Sequence, residues 1–420
     1  LMSSPFRSRR QSMVLVLSNR PFRAFSLSNF LSLTGIWIVR VSVGWLTWEL
    51  TRSKTWLGVM AFAELGPSVL ISLYGGALAD KFDRFSILSR GQTTQVILAA
   101  MLAILSLTGT GDIWLILAIL LGFSVVGGIN LPARMSMAPA LVDPIHLATA
   151  SAIGSVTLNV TRLIGPLLAA PLIAMSLEGI AFAIAACFFA ASALLLRAVR
   201  PKGGGEAGAG PVPAGEPARA AARPAGYGEI WRALAGDSAL LSVMAAQFVM
   251  WLTIRPLTDM LPAYADQMFR AGEFGFSALT AMVGVGALAG AFAVMGEGAG
   301  EGARRWMIGG MVTAAVAMAC LGLVPTIWLA LPIILVYGAA VTATSVTATT
   351  FVQLRTPNQR LGRMMSLFSF IYRFAPAVGA VLLGAAADRM GLAAASVLFP
   401  AVLLLVLALA WRRLNDGHAG

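Results

Sequence analysis

The sequence predicts an all-α membrane protein with twelve transmembrane helices in two pseudo-symmetric six-helix bundles. Hydrophobic residues make up 58% of its 420 positions and charged residues only 11%, whereas soluble domains are about 25% charged. Apolar stretches of about 20 residues, the length that a helix needs to cross a bilayer, recur along the whole chain. A segment rich in Gly, Pro and Ala interrupts them once, near the middle. These observations exclude a soluble protein and predict a duplicated bundle.

Twelve apolar stretches are predicted to span the membrane, and an even number places both termini on the same side. We place them at residues 24–48, 56–79, 87–108, 113–133, 149–175, 179–197, 238–264, 276–296, 306–324, 327–350, 364–386 and 392–411. The Gly- and Pro-rich interruption has no helical periodicity, as is typical of a flexible linker. The predicted domains are an N-terminal segment (1–23), a first bundle (24–197), the linker (198–236), a second bundle (237–411) and a tail (412–420).

The distribution of basic residues orients these segments in the membrane. Most of the 30 Lys and Arg residues fall in the N-terminal segment, the linker, the tail and the loops on the same side. The loops of the opposite side carry only Arg52, Lys54, Arg270 and Arg389. Because cytoplasmic loops carry the excess of positive charge, both termini are expected in the cytoplasm. We expect a multi-pass protein of a bacterial-type inner membrane. The distribution of basic residues explains the net charge of +12, so we expect membrane lipid and not nucleic acid as a partner.

Four arginines lie in the middle of predicted spans, in the first and fifth span of each half. They recur with their neighbours in matched order: Trp37 with Arg40, Trp251 with Arg255, Arg162 with Pro166, and Arg373 with Pro376. A charge at the bilayer centre costs at least about 2.5–3.5 kcal/mol on insertion scales, so such residues face a bundle interior or a water-filled cavity. The repetition indicates two homologous halves around a cationic cavity.

The residues near the arginines on these spans form the candidate substrate-binding set. At 100° per residue, polar and aromatic side chains gather on one face of each helix. The set is Asn29, Trp37 and Arg40; Asn159 and Arg162; Trp251 and Arg255; Tyr372 and Arg373. Guanidinium groups match carboxylate, phosphate or catecholate oxygens. The alternative is that the arginines pair with other helices and hold the bundle together, which suits Arg255 because Asp259 lies one turn away.

Two acidic residues within spans, Glu64 and Asp259, are the candidates for proton coupling. Desolvation raises the pKa of a carboxylate at lipid depth, and a nearby arginine lowers it. A group poised between these effects can bind and release a proton as the cavity opens to alternate sides. For Glu64 the alternative is a fixed ion pair with Arg40.

The loop between spans 2 and 3 carries the most specific motif, Gly75-Gly76-Ala-Leu-Ala-Asp80-Lys-Phe-Asp83-Arg84. It closely resembles the signature of the major facilitator superfamily, except that Asp83 replaces the usual second glycine. This version resembles the branch containing the enterobactin exporter and macrolide or tetracycline efflux proteins. Two further stretches are similar to that branch: Asn130-Leu-Pro-Ala-Arg134, and Arg355-Thr-Pro357 leading to Gly362-Arg363.

The resemblance implies a set of gating residues. Asp80 would latch the cytoplasmic side shut by facing the N-terminal end of span 11, near Gly362 and Arg363. The other implied members are Gly76 and Arg84 of the same motif, and Pro166, which follows a glycine as in the drug-exporter motif that bends span 5. The alternative for the loop is an ordinary solvated segment that carries positive charge.

The sequence therefore predicts a secondary active transporter, namely a proton-coupled exporter of an amphiphilic, anionic small molecule by alternating access. Siderophores and drug-like metabolites fit this description as cargo. The alternatives are a lipid or lysolipid flippase, and a membrane receptor or scaffold that does not transport. The sequence contains no phosphate-binding loop and no nucleophile motif, and its two Cys and two His suggest no metal site. We expect no enzyme activity and no cofactor, and a chain that acts as a monomer with protons, lipid and the small molecule as partners.

Overall fold

The computed structural model describes residues 14–81, 83–199, 237–294, 301–356 and 358–415, without the side chains of 73–81 and of some scattered positions. The described ranges contain twelve helices of 16 residues or more. They are α1 (Arg20–Thr51), α2 (Lys54–Lys81), α3 (Arg84–Thr108), α4 (Ile113–Leu141), α5 (Leu147–Ile173), α6 (Glu178–Val199), α7 (Ser238–Thr253), α8 (Gly272–Ala293), α9 (Glu301–Leu321), α10 (Ile327–Arg355), α11 (Asn358–Met390) and α12 (Leu392–Asn415). This all-helical architecture confirms the predicted fold class.

Length and composition suit most of these helices to cross a membrane. Eleven stretches of the described chain meet both requirements, and α9, which carries Arg304 and Arg305 near its start, is not among them. Each predicted span overlaps one long helix, and several helices extend a few residues beyond the apolar stretches. The extensions are polar helix ends such as Arg20–Arg23, which the apolar pattern alone leaves out.

Asp83, the residue that departs from the superfamily signature, has a local structural role. It is the N-cap of α3, and its carboxylate accepts hydrogen bonds from the backbone N–H groups of Phe85 (3.3 Å) and Ser86 (3.1 Å). The first N–H groups of a helix lack partners within the helix, and an Asp side chain at this position supplies one. The replacement of glycine by Asp83 therefore fixes where α3 begins.

The chain forms two compact units whose boundary does not fall only in the linker. The first unit contains residues 1–46 and 67–212, and the second contains 47–66 and 213–420. Residues 47–66, which are the end of α1 and the beginning of α2, therefore pack with helices of the second half. In the first unit the buried hydroxyls of Ser28 (α1) and Ser192 (α6) lie 2.7 Å apart, as polar pairs do between helices in lipid.

Helix α7 is shorter than the predicted span 238–264. It ends at Thr253, and a 3₁₀ turn (Arg255–Asp259), a short helical turn and a π-turn follow it. The cause is Pro256, which has no N–H to donate to the Leu252 carbonyl one turn earlier. That carbonyl faces Gly379 of α11, where any side chain would overlap it. Gly379 of α11, which has no side chain, thus leaves room for the Leu252 carbonyl where α7 is interrupted.

The list of buried acids also needs a correction. Glu64 and Asp259 are the acids predicted within spans, but Glu178 is only 5% exposed in the first turn of α6. An acidic residue there interacts favourably with the positive end of the helix. Glu178 stands one position before the predicted span 179–197, so the apolar pattern placed it outside the membrane.

Candidate functional site

Trp37 brings together two of the four predicted arginines in the first unit. The guanidinium carbon of Arg40 lies 5.3 Å from the centroid of its indole ring, and that of Arg162 lies 5.4 Å from the same centroid. Both distances are within the range of cation–π attraction. Trp37 and Arg40 come from α1 and Arg162 from α5, and all three are partly buried. The structure therefore assembles this part of the candidate set into one cationic, aromatic cluster.

Gly165 explains why α5 comes so close to this cluster. A Cβ atom at Gly165 would overlap the Cβ of Trp37. Small residues permit such close helix approach in membranes. Gly165 is three residues after Arg162 and therefore lies on the same face of α5. The next residue, Pro166, is buried, and α5 continues through it to Ile173.

Asn29 of the candidate set lies among other polar groups of the first unit. It lines a small cavity with Gln92 (α3) and Arg134 (α4), which both hydrogen-bond to the Ser32 hydroxyl, at 2.9 and 3.2 Å. Ser32 is fully buried and Gln92 is 2% exposed. Gln92 was missed by the sequence analysis, although a carboxamide within the span 87–108 is a visible signal. The polar face of α1 therefore contributes to two clusters, one at Asn29 and Ser32 and the other at Trp37 and Arg40.

In the second unit, Trp251 of α7 occupies the place that corresponds to Trp37. It is 2% exposed, and its ring centroid lies 3.9 Å from that of Tyr372 on α11. Its indole N–H donates to Gln247 Oε1 at 3.0 Å. In both units the tryptophan meets the partner helix at the arginine-bearing turn: Arg162 in the first, Tyr372 beside Arg373 in the second. The repeated sequence pattern therefore corresponds to a repeated contact.

Arg255 and Arg373 differ in their surroundings. Arg255 begins the 3₁₀ turn after α7 and donates a hydrogen bond to Thr258. The hydroxyl of Tyr337, buried nearby, donates to the carbonyl of Ile254 at 2.9 Å and holds the interrupted backbone. Within the described residues, neither Arg373 nor Arg162 forms an ion pair with a carboxylate. These two arginines therefore retain donors for another group.

The remaining candidates are placed individually or lie outside the described part. Glu64 is partly buried on α2, one turn before the helical Pro67, and Asp259 is partly buried at the end of the 3₁₀ turn. Arg84 donates to the carbonyl of Ser136 at 3.4 Å. The side chains of Asn159, Gly76, Asp80, Gly362 and Arg363 lie outside the described residues. Their assigned roles stay predictions.

Comparison with known families identifies the kind of protein that carries this arrangement. The sequence profile of the family described as "Transmembrane secretion effector" matches residues 12–417. The enterobactin exporter EntS of Shigella boydii is 28% identical over 426 aligned positions, which cover 97% of each chain. The staphyloferrin A transporter of Staphylococcus aureus is 30% identical over 176 residues, which are 41% of this chain and 44% of that relative.

The fold also matches solved structures of transporters. A transporter of the POT family, crystallised with a thioalcohol-conjugated peptide, superimposes with a TM-score of 0.74 over 94% of this chain and 97% of its own. Its sequence identity is 12%, so the likeness concerns the fold alone. The twelve-helix architecture is thus shared with proteins that transport solutes across membranes.

Proposed function

Because the chain belongs to the transmembrane secretion effector family of the major facilitator superfamily, we propose that it exports an anionic, amphiphilic small molecule by proton-coupled alternating access. Family membership makes it a multi-pass membrane transporter of the enterobactin-exporter branch, and not an enzyme. The observation that carries the proposed charge of the cargo is the pair of guanidinium groups, Arg40 and Arg162, on one indole ring.

The guanidinium of Arg162 places a positive charge against the indole ring of Trp37. The ring attracts this cation by its quadrupole but does not neutralise its charge. Charges interact more strongly at the low dielectric of a membrane protein interior than in water. Arg162 forms no ion pair with a carboxylate in the described chain, so the cluster favours an anion that arrives from outside the protein. Its planar donors suit carboxylate or catecholate oxygens.

The aromatic part of the cluster supports an amphiphilic cargo. Trp37, and in the second unit the pair Trp251 and Tyr372, present apolar ring surface beside the arginines. Binding sites for small molecules combine such apolar lining with a few polar groups that fix orientation. Two relatives are named for the transport of enterobactin and staphyloferrin A, which supports a siderophore as the cargo. A drug-like metabolite with an acidic group has the same chemistry.

Proton coupling is assigned to Glu64, with Asp259 as the second candidate. Desolvation disfavours the charged form of a carboxylate. A partly buried carboxylate within a membrane helix can therefore change protonation when its surroundings change between water and protein. Glu64 lies in the segment 47–66, which packs in the second unit although it belongs to the first half of the sequence. A movement of the segment 47–66 during transport would therefore change the environment of Glu64.

The orientation of the chain follows from its charges. The basic N-terminal segment, linker and tail put both termini in the cytoplasm by the positive-inside rule. Export is then movement of the cargo from the side of the linker to the side of Arg52 and Lys54.

A sealed-vesicle assay tests the proposal. The purified protein is reconstituted in liposomes that contain a pH-sensitive dye, and enterobactin is added as the probe anion. We expect cargo-dependent proton movement in the wild type and in Arg90→Ala, an exposed arginine on α3. We expect none in Arg162→Ala or in protein-free liposomes.

Two outcomes would contradict the proposal. If a cationic analogue of the probe causes as much proton movement as enterobactin does, the arginines do not select an anionic cargo. Transfer of a fluorescent lysolipid headgroup between leaflets, without proton movement by enterobactin, would identify a lipid flippase instead.

A further inference from the structure

The superfamily-like motif of α2 has a second copy at the end of α11. The first copy reads Gly76-Ala-Leu-Ala-Asp80-Lys81, and the second reads Gly384-Ala-Ala-Ala-Asp388-Arg389. In both, a glycine precedes an aspartate by four residues, a basic residue follows, and a long helix ends at that point. The expected role of the first aspartate is to face the N-terminal end of another helix. The second copy makes a contact of this kind in the structure.

Asp388 binds the beginning of α2 through five groups. Its carboxylate accepts hydrogen bonds from the backbone N–H groups of Lys54 (3.1 Å) and Thr55 (2.8 Å). It also accepts from the hydroxyls of Ser53 (2.9 Å) and Thr55 (2.7 Å), and the ammonium of Lys54 lies 3.4 Å away. N–H groups in the first turn of a helix lack partners within the helix, and this end carries partial positive charge. Asp388 therefore caps α2 from a helix more than 300 residues away in sequence.

The glycine of the motif allows the two helices to touch. A Cβ atom at Gly384 would overlap the carbonyl oxygen of Lys54, and one at Gly58 would overlap that of Ala380. The residues 380, 384 and 388 recur every four positions and so share one face of α11. Residue 380 contacts Gly58, while residues 384 and 388 contact the first turn of α2 at Lys54 and Thr55. The order of these contacts shows that the two helices run antiparallel. Gly384 lets α11 approach α2 closely, and this close approach brings the carboxylate of Asp388 to the N-terminal end of α2.

A second carboxylate holds the same hairpin between α1 and α2. Asp266, in the π-turn after α7, accepts from the indole N–H of Trp48 (3.0 Å) and forms an ion pair with Arg52. The guanidinium of Arg52 also lies 5.8 Å from the indole centroid of Trp48. Both carboxylates belong to the second half of the sequence, whereas the hairpin belongs to the first. These contacts agree with the grouping of residues 47–66 in the second unit.

We propose that Gly384 and Asp388 form a latch that closes the end of the transporter opposite to the end that Asp80 is predicted to close. Asp388 binds the first residue of α2, and Asp80 stands 26 residues later on the same helix, about 40 Å away at 1.5 Å per residue. One motif is thus used once at each end of α2, and the two latches alternate during transport. This proposal rests on the proposed function, because alternation has meaning only in a transporter.

The test measures access to the hairpin without any cargo. Cys187 and Cys320 are replaced by Ala, and Leu57, which is 3% exposed beside Gly58, is replaced by Cys as the reporter. Its labelling by a membrane-impermeant maleimide is followed in right-side-out vesicles. We expect Asp388→Asn and Gly384→Leu to raise the labelling rate about tenfold, the shift expected in a two-state equilibrium when hydrogen bonds to a charged group are lost.

Matched controls separate the latch from general destabilisation. Asp112→Asn removes a carboxylate that caps α4 within its own hairpin, through Trp114 N–H at 2.6 Å, and Gly309→Leu changes a glycine with open space around it. Neither should alter labelling of Leu57→Cys, and Asp80→Asn should not raise it. Size-exclusion profiles confirm that each variant is folded.

Wild-type labelling in both Asp388→Asn and Gly384→Leu would overturn the latch, whatever the protein transports. If labelling changes as expected and no proton movement accompanies any anion, the latch stands and the proposed cargo or coupling fails. If Asp112→Asn raises labelling as much as Asp388→Asn, the effect is loss of helix capping in general and the latch is wrong.

Discussion

Arg40 and Arg162, which are 122 positions apart in the sequence, place their guanidinium carbons 5.3 and 5.4 Å from the centroid of one indole ring. Like charges repel each other, and they repel more strongly away from water. Trp37 lowers this cost because its ring attracts both cations. Arg162, which forms no ion pair with a carboxylate in the described chain, keeps a positive charge beside this aromatic surface, and an anionic cargo is inferred from that charge.

Replacing Trp37 by Leu should therefore weaken both the fold and cargo binding. Each cation–π contact contributes about 0.5–2 kcal/mol, so the melting temperature in detergent and the affinity for an anionic probe should both fall. Trp114→Leu is the matched control, since Trp114 is 65% exposed on α4. If the two variants melt and bind alike, Trp37 does not organise the arginines.

Gly165→Ala should destabilise the protein, whereas Gly154→Ala on the same helix should not. A Cβ at Gly165 meets the Cβ of Trp37, while a Cβ at Gly154 meets nothing within 4 Å. Overpacking costs typically about 1–3 kcal/mol, and Ala in an open helical position gains up to about 1 kcal/mol over Gly. Thermal unfolding should shift in opposite directions for the two variants. A shared direction would show that α5 does not depend on close packing against Trp37.

Glu64→Gln should abolish accumulation of cargo driven by a proton gradient and leave cargo exchange between the two sides intact. The amide keeps the shape of the side chain but cannot bind a proton, so only the coupled movement is lost. Counterflow and gradient-driven uptake in the same liposomes measure the two activities. If exchange is lost as well, Glu64 is required for the fold of α2, as an ion pair with Arg40 would require.

The sequence predicted the fold well because its signals are local. The length of apolar stretches placed one long helix at each predicted span. The repetition of Trp37–Arg40 in Trp251–Arg255 also predicted two homologous halves. Each of these signals lies within one helix.

Features that depend on contacts between distant segments were missed. The second motif copy, Gly384 to Asp388, was readable in the sequence, but the partner of Asp388 lies at Lys54 and Thr55. Helical periodicity placed Asn29 and Arg40 on one face of α1, but it did not indicate that Asn29 shares a cavity with Gln92 of α3. Periodicity gives the direction of a side chain and not the identity of the helix that receives it.

Recognition of an anionic cargo by the arginines within the spans is tested with paired ligands of opposite charge. Binding of an anionic catecholate and of its cationic analogue is measured for the wild type, Arg162→Ala, Arg373→Ala, Arg40→Ala and Arg40→Lys, with Arg90→Ala as the exposed control.

We expect that the wild type prefers the anion, and that each alanine variant at an arginine within a span loses about 1.5–3 kcal/mol of anion binding, at least tenfold in Kd. Arg40→Lys, which keeps the charge, should lose less than Arg40→Ala. Equal binding of the two analogues, unchanged in every buried-arginine variant, would show that these arginines hold helices together and do not recognise cargo.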